Sequence, residues 1–165
     1  MNIVLIGMPG SGKSTLGVVT AKILGMDFLD ADVFIQKNEG RKLQEILNEV
    51  GCEKFLDIEC ENILKIDVDN TVIATGGSAV LREKAMQHLK KNAKTVFLDV
   101  PLSEIEKRIF NISVRGIAKN DNETMEDIFK KRYPLYEKYA DITLETGVIN
   151  QEEAIKLIIK SIQGE

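Results

Sequence analysis

Apolar positions along this chain alternate between two periods. Residues 2–6 form a short β-branched run, which predicts a strand. Across residues 15–24 the apolar side chains Leu16, Val19, Ile23 and Leu24 fall at helical spacing, and Gly25 marks the stop. Residues 26–29 predict a second strand, ending at Asp30-Ala31-Asp32. A helix over 33–39 follows, with Gly40 as its breaker. Residues 42–50 place Leu43, Ile46 and Leu47 on one face. Gly51 interrupts, and residues 53–66 form a further amphipathic helix through Phe55, Ile58, Ile63 and Leu64. The β-branched run at 71–74 predicts a strand entering Thr75-Gly76-Gly77-Ser78. A helix over 81–91, a strand over 95–100 and a helix over 103–110 come next, the last with Ser103 and Glu106 as a capping box. Residues 124–139 are helical in pattern, with Pro134 expected to kink or split them. A strand at 141–144 and an amphipathic helix at 151–162 close the chain. This alternation predicts an α/β fold, a parallel sheet of five strands flanked by helices on both faces.

Composition adds bounds. The 165 residues suit one domain, 1–165, and 44% hydrophobic with 29% charged residues is ordinary for a globular protein. A net charge of -4 leaves no basic footprint, so no nucleic-acid partner is expected. No apolar run approaches the ~20 residues that span a bilayer. The start carries no basic region ahead of an apolar one, so neither a membrane partner nor a signal peptide is expected. Cys52 and Cys60 do not suggest a metal site or a disulfide; reduced thiols and a cytoplasmic location are the simple expectation.

The chemistry begins at Gly7-Met8-Pro9-Gly10-Ser11-Gly12-Lys13-Ser14-Thr15, which has the P-loop spacing G-x-x-x-x-G-K-[ST] and lies between a predicted strand and a predicted helix. The glycines let backbone amides approach a polyphosphate at the positive end of the following helix. Gly10, Ser11, Gly12, Lys13, Ser14 and Thr15 are therefore expected to hold ATP or GTP. Lys13 would reach the β- and γ-phosphates, and Ser14 would place its hydroxyl on Mg²⁺. Asp30 and Asp32 end the second strand. Extended chain would turn both carboxylates the same way, one for Mg²⁺ and one to take a proton from a substrate hydroxyl. The alternative is a turn in which Asp32 caps the next helix. Gly76 and Gly77 would let a substrate approach the backbone. Arg132, beside Pro134, would bind an anionic group bidentately. The polar stretch 111–122 predicts a mobile lid with few packing contacts, bringing Arg115 to the transferring phosphoryl group. Arg108 would flank the base, and His88 reads as solvated. The P-loop, Asp30 and Asp32, Gly76-Gly77 and the 111–122 segment all fall at or near the carboxyl ends of strands, where open α/β sheets bind ligands.

These motifs resemble those of the shikimate kinase family, small P-loop kinases of the nucleoside-monophosphate-kinase type. The resemblance runs through residues 7–15, Phe28-Leu29-Asp30-Ala31-Asp32, Gly51, Phe55 and Glu59, Ala74-Thr75-Gly76-Gly77, Arg115, and Arg132-Tyr133-Pro134-Leu135-Tyr136-Glu137 with Ala140-Asp141. It implies ATP-dependent transfer of the γ-phosphoryl group to a hydroxyl of shikimate. A monomer is the separate expectation for the partner state. It assigns Mg²⁺ to Ser14 and Asp30, the acceptor hydroxyls to Asp32, the phosphates to Arg115, the acceptor carboxylate to Arg132 and the adenine to Arg108. It also implies an acceptor-binding insertion at about 33–64.

Three positions depart from the family pattern. Leu56 stands where the family carries a carboxylate-binding arginine, Ser78 replaces a third glycine, and Gly116 follows Arg115 in place of proline. Leu56 is expected to add apolar surface to the acceptor site, with Lys54 and Arg82 as candidate replacements for the lost charge. A kinase of another small polyol or hydroxy acid is the alternative. A nucleoside-monophosphate kinase fits less well, because 33–64 holds only Arg41 for a nucleotide phosphate. A non-catalytic nucleotide-binding protein would not need Lys13, Ser14, Asp30 and Asp32 together.

Overall fold

The computed structural model describes residues 1–110 and 116–164. Five strands, β1 (Asn2–Ile6), β2 (Asp27–Asp30), β3 (Thr71–Ala74), β4 (Ala93–Asp99) and β5 (Ile142–Glu145), form one sheet in the order β2-β3-β1-β4-β5. Every pairing is parallel, with Ile3 opposite Val72 and Leu5 opposite Val96. The helices are α1 (Lys13–Leu24), α2 (Ala31–Glu39), α3 (Leu43–Ile63), α4 (Glu83–Lys90), α5 (Leu102–Phe110), α6 (Met125–Tyr139) and α7 (Gln151–Gln163). The five-stranded parallel α/β architecture expected from the alternating pattern is the one observed.

The central strand shows why. All five residues of β1 are buried, because helices cover both faces of a parallel sheet. Val4 and Ile6 point into one core with Ile73, Met86, Phe97 and Tyr136. Ile3 and Leu5 point into the other with Val72, Val96, Leu98, Ile155 and Ile158. Each fully buried aliphatic chain contributes about 1.5–3 kcal/mol relative to exposure. A third, smaller cluster of Ile35, Leu43, Ile46, Phe55, Leu56 and Ala118 joins α2 and α3 to the segment before α6. β1 stands at the point where the strand order reverses, which sets the loop after it at the mouth of the crevice.

Several local expectations change. β2 ends at Asp30 and α2 begins at Ala31, so Asp32 lies in a helical first turn and not in extended chain. The two helices expected on either side of Gly51 are one element, α3, kinked at Gly51, where φ is +78° and only glycine is unstrained. Residues 79–81 are a 3-10 turn ahead of α4. α5 starts from the Pro101 carbonyl, which accepts from Glu104 and Ile105, so Ser103 lies inside the first turn and is not its cap. α6 runs through Pro134 without breaking. Pro134 is on the exposed face, where water can satisfy the carbonyl one turn back. His88 is half-buried and its Nε2 lies 2.8 Å from the Ile66 carbonyl, because α4 packs on the end of α3.

The lid expectation also divides. Residues 111–115, with Arg115, lie outside the described residues. In the part described, Ala118 is buried against Leu43, Phe55 and Leu56, and its carbonyl accepts from Arg132. A short apolar pair, Ile117-Ala118, thus pins a segment whose composition predicted few packing contacts.

Candidate active site

The loop between β1 and α1 is held by its own hydrogen bonds. Gly12 caps α1 at φ +94°, a left-handed conformation that leaves no side chain over the first amides of the helix. Ser11 is buried, and its amide donates to the Met8 carbonyl at 3.1 Å. The Lys13 ammonium is buried beneath the loop. It donates to the carbonyls of Gly7 and Met8, both at 2.8 Å, and to Ser11 Oγ at 3.3 Å. Burial lowers its pKa to about 8. Asp32 and Asp30 act to raise it and Arg132 to lower it. Gly10, Gly12, Lys13, Ser14 and Thr15 line one cleft. Arg108, from α5, bridges the Gly10 carbonyl and the Gly147 carbonyl, each at 3.3 Å, and pairs with Glu104. It therefore joins the P-loop to the segment after β5.

The two aspartates face different places. Asp30 Oδ2 accepts from Ser14 Oγ at 2.6 Å, while its Oδ1 accepts from the amides of Asp32 and Val33. Asp30, not Asp32, is the cap of α2. The expectation that both carboxylates point the same way fails because the strand ends between them. Asp30 is turned to the P-loop, and Asp32 lines the cleft beside Gly76. Ser14 and Asp30 offer two hard oxygens in contact. That suits Mg²⁺, which binds through one or two protein oxygens and completes its shell with waters and phosphates. Among the described residues no cluster of three or more His, Cys, Asp or Glu could hold a metal by itself.

Beyond β3 the chain enters the same cleft. Gly76 and Gly77 line it, and the Gly77 carbonyl accepts from the Tyr136 hydroxyl at 2.6 Å. Burial pushes the Tyr136 phenol far up, so it stays a neutral donor. A Cβ at Gly76 would stand 2.6 Å from Glu59 Oε1 and 2.9 Å from Asp32 Oδ1. The bare glycine is what lets both carboxylates close on this point. Gly76→Ala is accordingly expected to fold, since its backbone is outside the left-handed region. It should displace both carboxylates at a cost of about 1–3 kcal/mol. Steady-state kinetics should show the acceptor KM raised by about 10- to 100-fold and the ATP KM nearly unchanged.

Arg132, 2% exposed on α6, also reaches the cleft, bonded to the Ala118 carbonyl. Lys13 and Arg132 are the cations among the described lining residues; Leu43, Phe55 and Ala118 form an apolar wall. Leu56 does not line the cleft. It is packed behind that wall with Ile35 and Ile46, so the expected gain of apolar surface at the site does not occur there. Lys54 is exposed, and Arg82 is bonded to Glu53 and Asp57. Neither lines the cleft, so neither replaces the missing arginine. Gly116 packs on Leu43, where a Cβ would come within 2.9 Å.

Glu59, Ser78 and Tyr136 were not among the expected site residues. A signal for Glu59 exists: it falls four residues after Phe55 and four before Ile63, on the buried stripe of α3. A carboxylate on an apolar stripe marks either a paired charge or a site. Tyr136 gives no comparable signal, since its partner lies 59 residues away.

A family model described as shikimate kinase matches residues 9–163. A shikimate kinase of Clostridium botulinum (strain 657 / Type Ba4) is 42% identical over 164 residues, spanning 97% of this chain and 95% of the relative. A shikimate kinase from Acinetobacter baumannii in complex with shikimate superposes with a TM-score of 0.88 at 28% identity, over 99% of this chain and 93% of that one. The shikimate kinase structure from Aquifex aeolicus gives a TM-score of 0.84 at 33% identity, over 99% and 97%. The likeness extends through the nucleotide half and the acceptor half alike, and the chain belongs to the shikimate kinase family.

Proposed function

We propose that this chain transfers the γ-phosphoryl group of ATP to a hydroxyl of shikimate, giving shikimate 3-phosphate and ADP. The observation that carries this reading is the meeting of Asp32, Gly76 and Arg132 in the cleft that begins at the P-loop. The ATP phosphates lie against the open amides of α1, and Lys13 exchanges loop carbonyls for phosphate oxygens. Arg108 flanks the adenine; Arg115, outside the described residues, has the role the family resemblance gives it, contact with the phosphates. Ser14 and Asp30 hold Mg²⁺, which neutralises phosphate charge when bound. Arg132 takes the shikimate carboxylate through its planar fork. Asp32 orients the acceptor hydroxyl and accepts its proton. The hydroxyl oxygen bonds to the γ-phosphorus as the bond to the ADP oxygen breaks. The working unit in this reading is a cytoplasmic monomer made of one domain, 1–165, with its acceptor insertion at about 33–64 and lid at about 111–122. No described helix is long and apolar enough to cross a membrane.

A second reading, another small hydroxy acid or polyol as acceptor, is favoured by one observation. Arg132 has no second arginine beside it among the described residues lining the cleft. Coupled ADP release over a panel of hydroxylated acids, sugars and nucleosides decides between them. The expected result is saturable turnover with shikimate, one ADP per shikimate 3-phosphate. Saturation by another acceptor with none by shikimate would overturn the first reading.

A further inference from the structure

One buried carboxylate lining the cleft is not used by the transfer proposed above. Glu59 is 2% exposed, and both of its oxygens accept from a single donor, Ser78 Oγ, at 3.0 and 2.8 Å. No lysine or arginine among the described residues pairs with it. A buried, ionised carboxylate normally requires such a partner. The charged groups around it come from three elements. Asp32 on α2 closes on the same face of Gly76, Arg132 approaches from α6, and Arg82 lies beyond the turn after β3. Lys13 lines the cleft as well.

Burial pushes the Glu59 carboxyl up to about 7. The Ser78 hydrogen bond opposes this, Asp32 adds to it, and Arg132 and Arg82 oppose it. An acceptor that brings a carboxylate to Arg132 adds a further anion to this dehydrated corner. An ionised Glu59 then repels it, whereas a neutral carboxyl can donate a hydrogen bond.

We propose that Glu59 is the specificity-determining group of the acceptor pocket: it takes up a proton from solvent when an anionic acceptor binds, with Ser78 as the residue that positions it. This rests on shikimate, or another carboxylate of its kind, being the acceptor. In the bound state the Glu59 carboxylate has become the acid, O–H, and the Ser78 hydroxyl donates to its other oxygen. The sign follows from the direction of charge. Below about pH 7 the acid is already present and binding takes up nothing. Above it, each bound acceptor draws one proton and affinity falls by up to tenfold per pH unit.

The test is calorimetric titration of shikimate into the whole protein saturated with a non-hydrolysable ATP analogue, from pH 6 to 9, in pairs of buffers of different ionisation enthalpy. With Lys13 engaged by the analogue's phosphates, its charge is the same before and after shikimate binds. The expected result is uptake near zero at pH 6 and more than half a proton at pH 8. Glu59→Gln should abolish the uptake. Ser78→Ala removes a donor that favours the ionised form, so the pH at which affinity begins to fall should move upward. A pair with a purely structural role would lower Tm in both variants without moving that midpoint. Tight shikimate binding by the wild-type protein with no proton uptake at pH 8 overturns the proposal and leaves the shikimate reading intact, as does an unmoved midpoint in Ser78→Ala. Absence of shikimate binding at every pH overturns both.

Discussion

Lys13→Met is expected to remain folded and to lose phosphoryl transfer by about 10²–10³-fold or more, the scale of removing one donor aimed at developing charge. Methionine keeps the unbranched stem that threads beneath the loop and removes the ammonium. The fold should tolerate the loss. With its pKa lowered to about 8, buried Lys13 is harder to protonate in the folded chain than in the unfolded one. The unfolded state therefore binds more protons between pH 8 and the ordinary lysine value. Below pH 8 the charged form costs on the order of 3 kcal/mol, a cost relieved as pH rises through that interval. Lost bonds to Gly7 and Met8 offset this in the variant. Thermal melts should show the wild type gaining on Lys13→Met as pH is raised from 8 to 10. Wild-type turnover by a folded Lys13→Met protein would overturn the kinase reading.

Asp32→Asn is expected to cut kcat by about 10²–10⁴-fold, the range for a positioned proton acceptor. The ATP KM should change little, because Asp32 lines the cleft beside Gly76 while Asp30 is the carboxylate bonded to Ser14. The fold should hold, since Asp30 is the cap of α2 and the Asp32 backbone amide still donates to it. Asparagine also removes the charge that raises Glu59. The pH above which acceptor affinity falls should then move downward, opposite to the shift expected for Ser78→Ala. An equal loss of ATP affinity and turnover would instead assign Asp32 to the metal and nucleotide side.

The nucleotide half was legible in the chain because it is local. From Gly7 to Thr15 every residue acts within a few positions of its neighbours, and the bonds from Lys13 close on Gly7, Met8 and Ser11. The strand and helix periods were legible for a related reason: a parallel sheet covered on both faces demands continuous apolar runs, and β1 supplies one. Arg132 and Gly76 could be singled out by type, but not brought together.

The acceptor half depends on distance in sequence. Glu59 meets Ser78 19 residues on, and Tyr136 meets Gly77 across 59. Both contacts exist only because β3 lies between β1 and β2 and α6 packs over the turn that follows. The direction of Asp32 turned on a single residue, the end of β2 at Asp30, since one helical turn rotates a side chain that extended chain would have left in line. The family pattern puts Leu56 on the acceptor surface, where it stands in place of an arginine, yet successive positions on a helix diverge by about 100°, and burial behind Leu43 and Ala118 takes it out of the cleft. By itself the sequence determined a P-loop, an alternating parallel fold and the residue types for phosphoryl transfer. Tertiary structure decided which way each carboxylate faces and what surrounds it, because burial and proximity to other charges are properties of the packed chain and not of its local order.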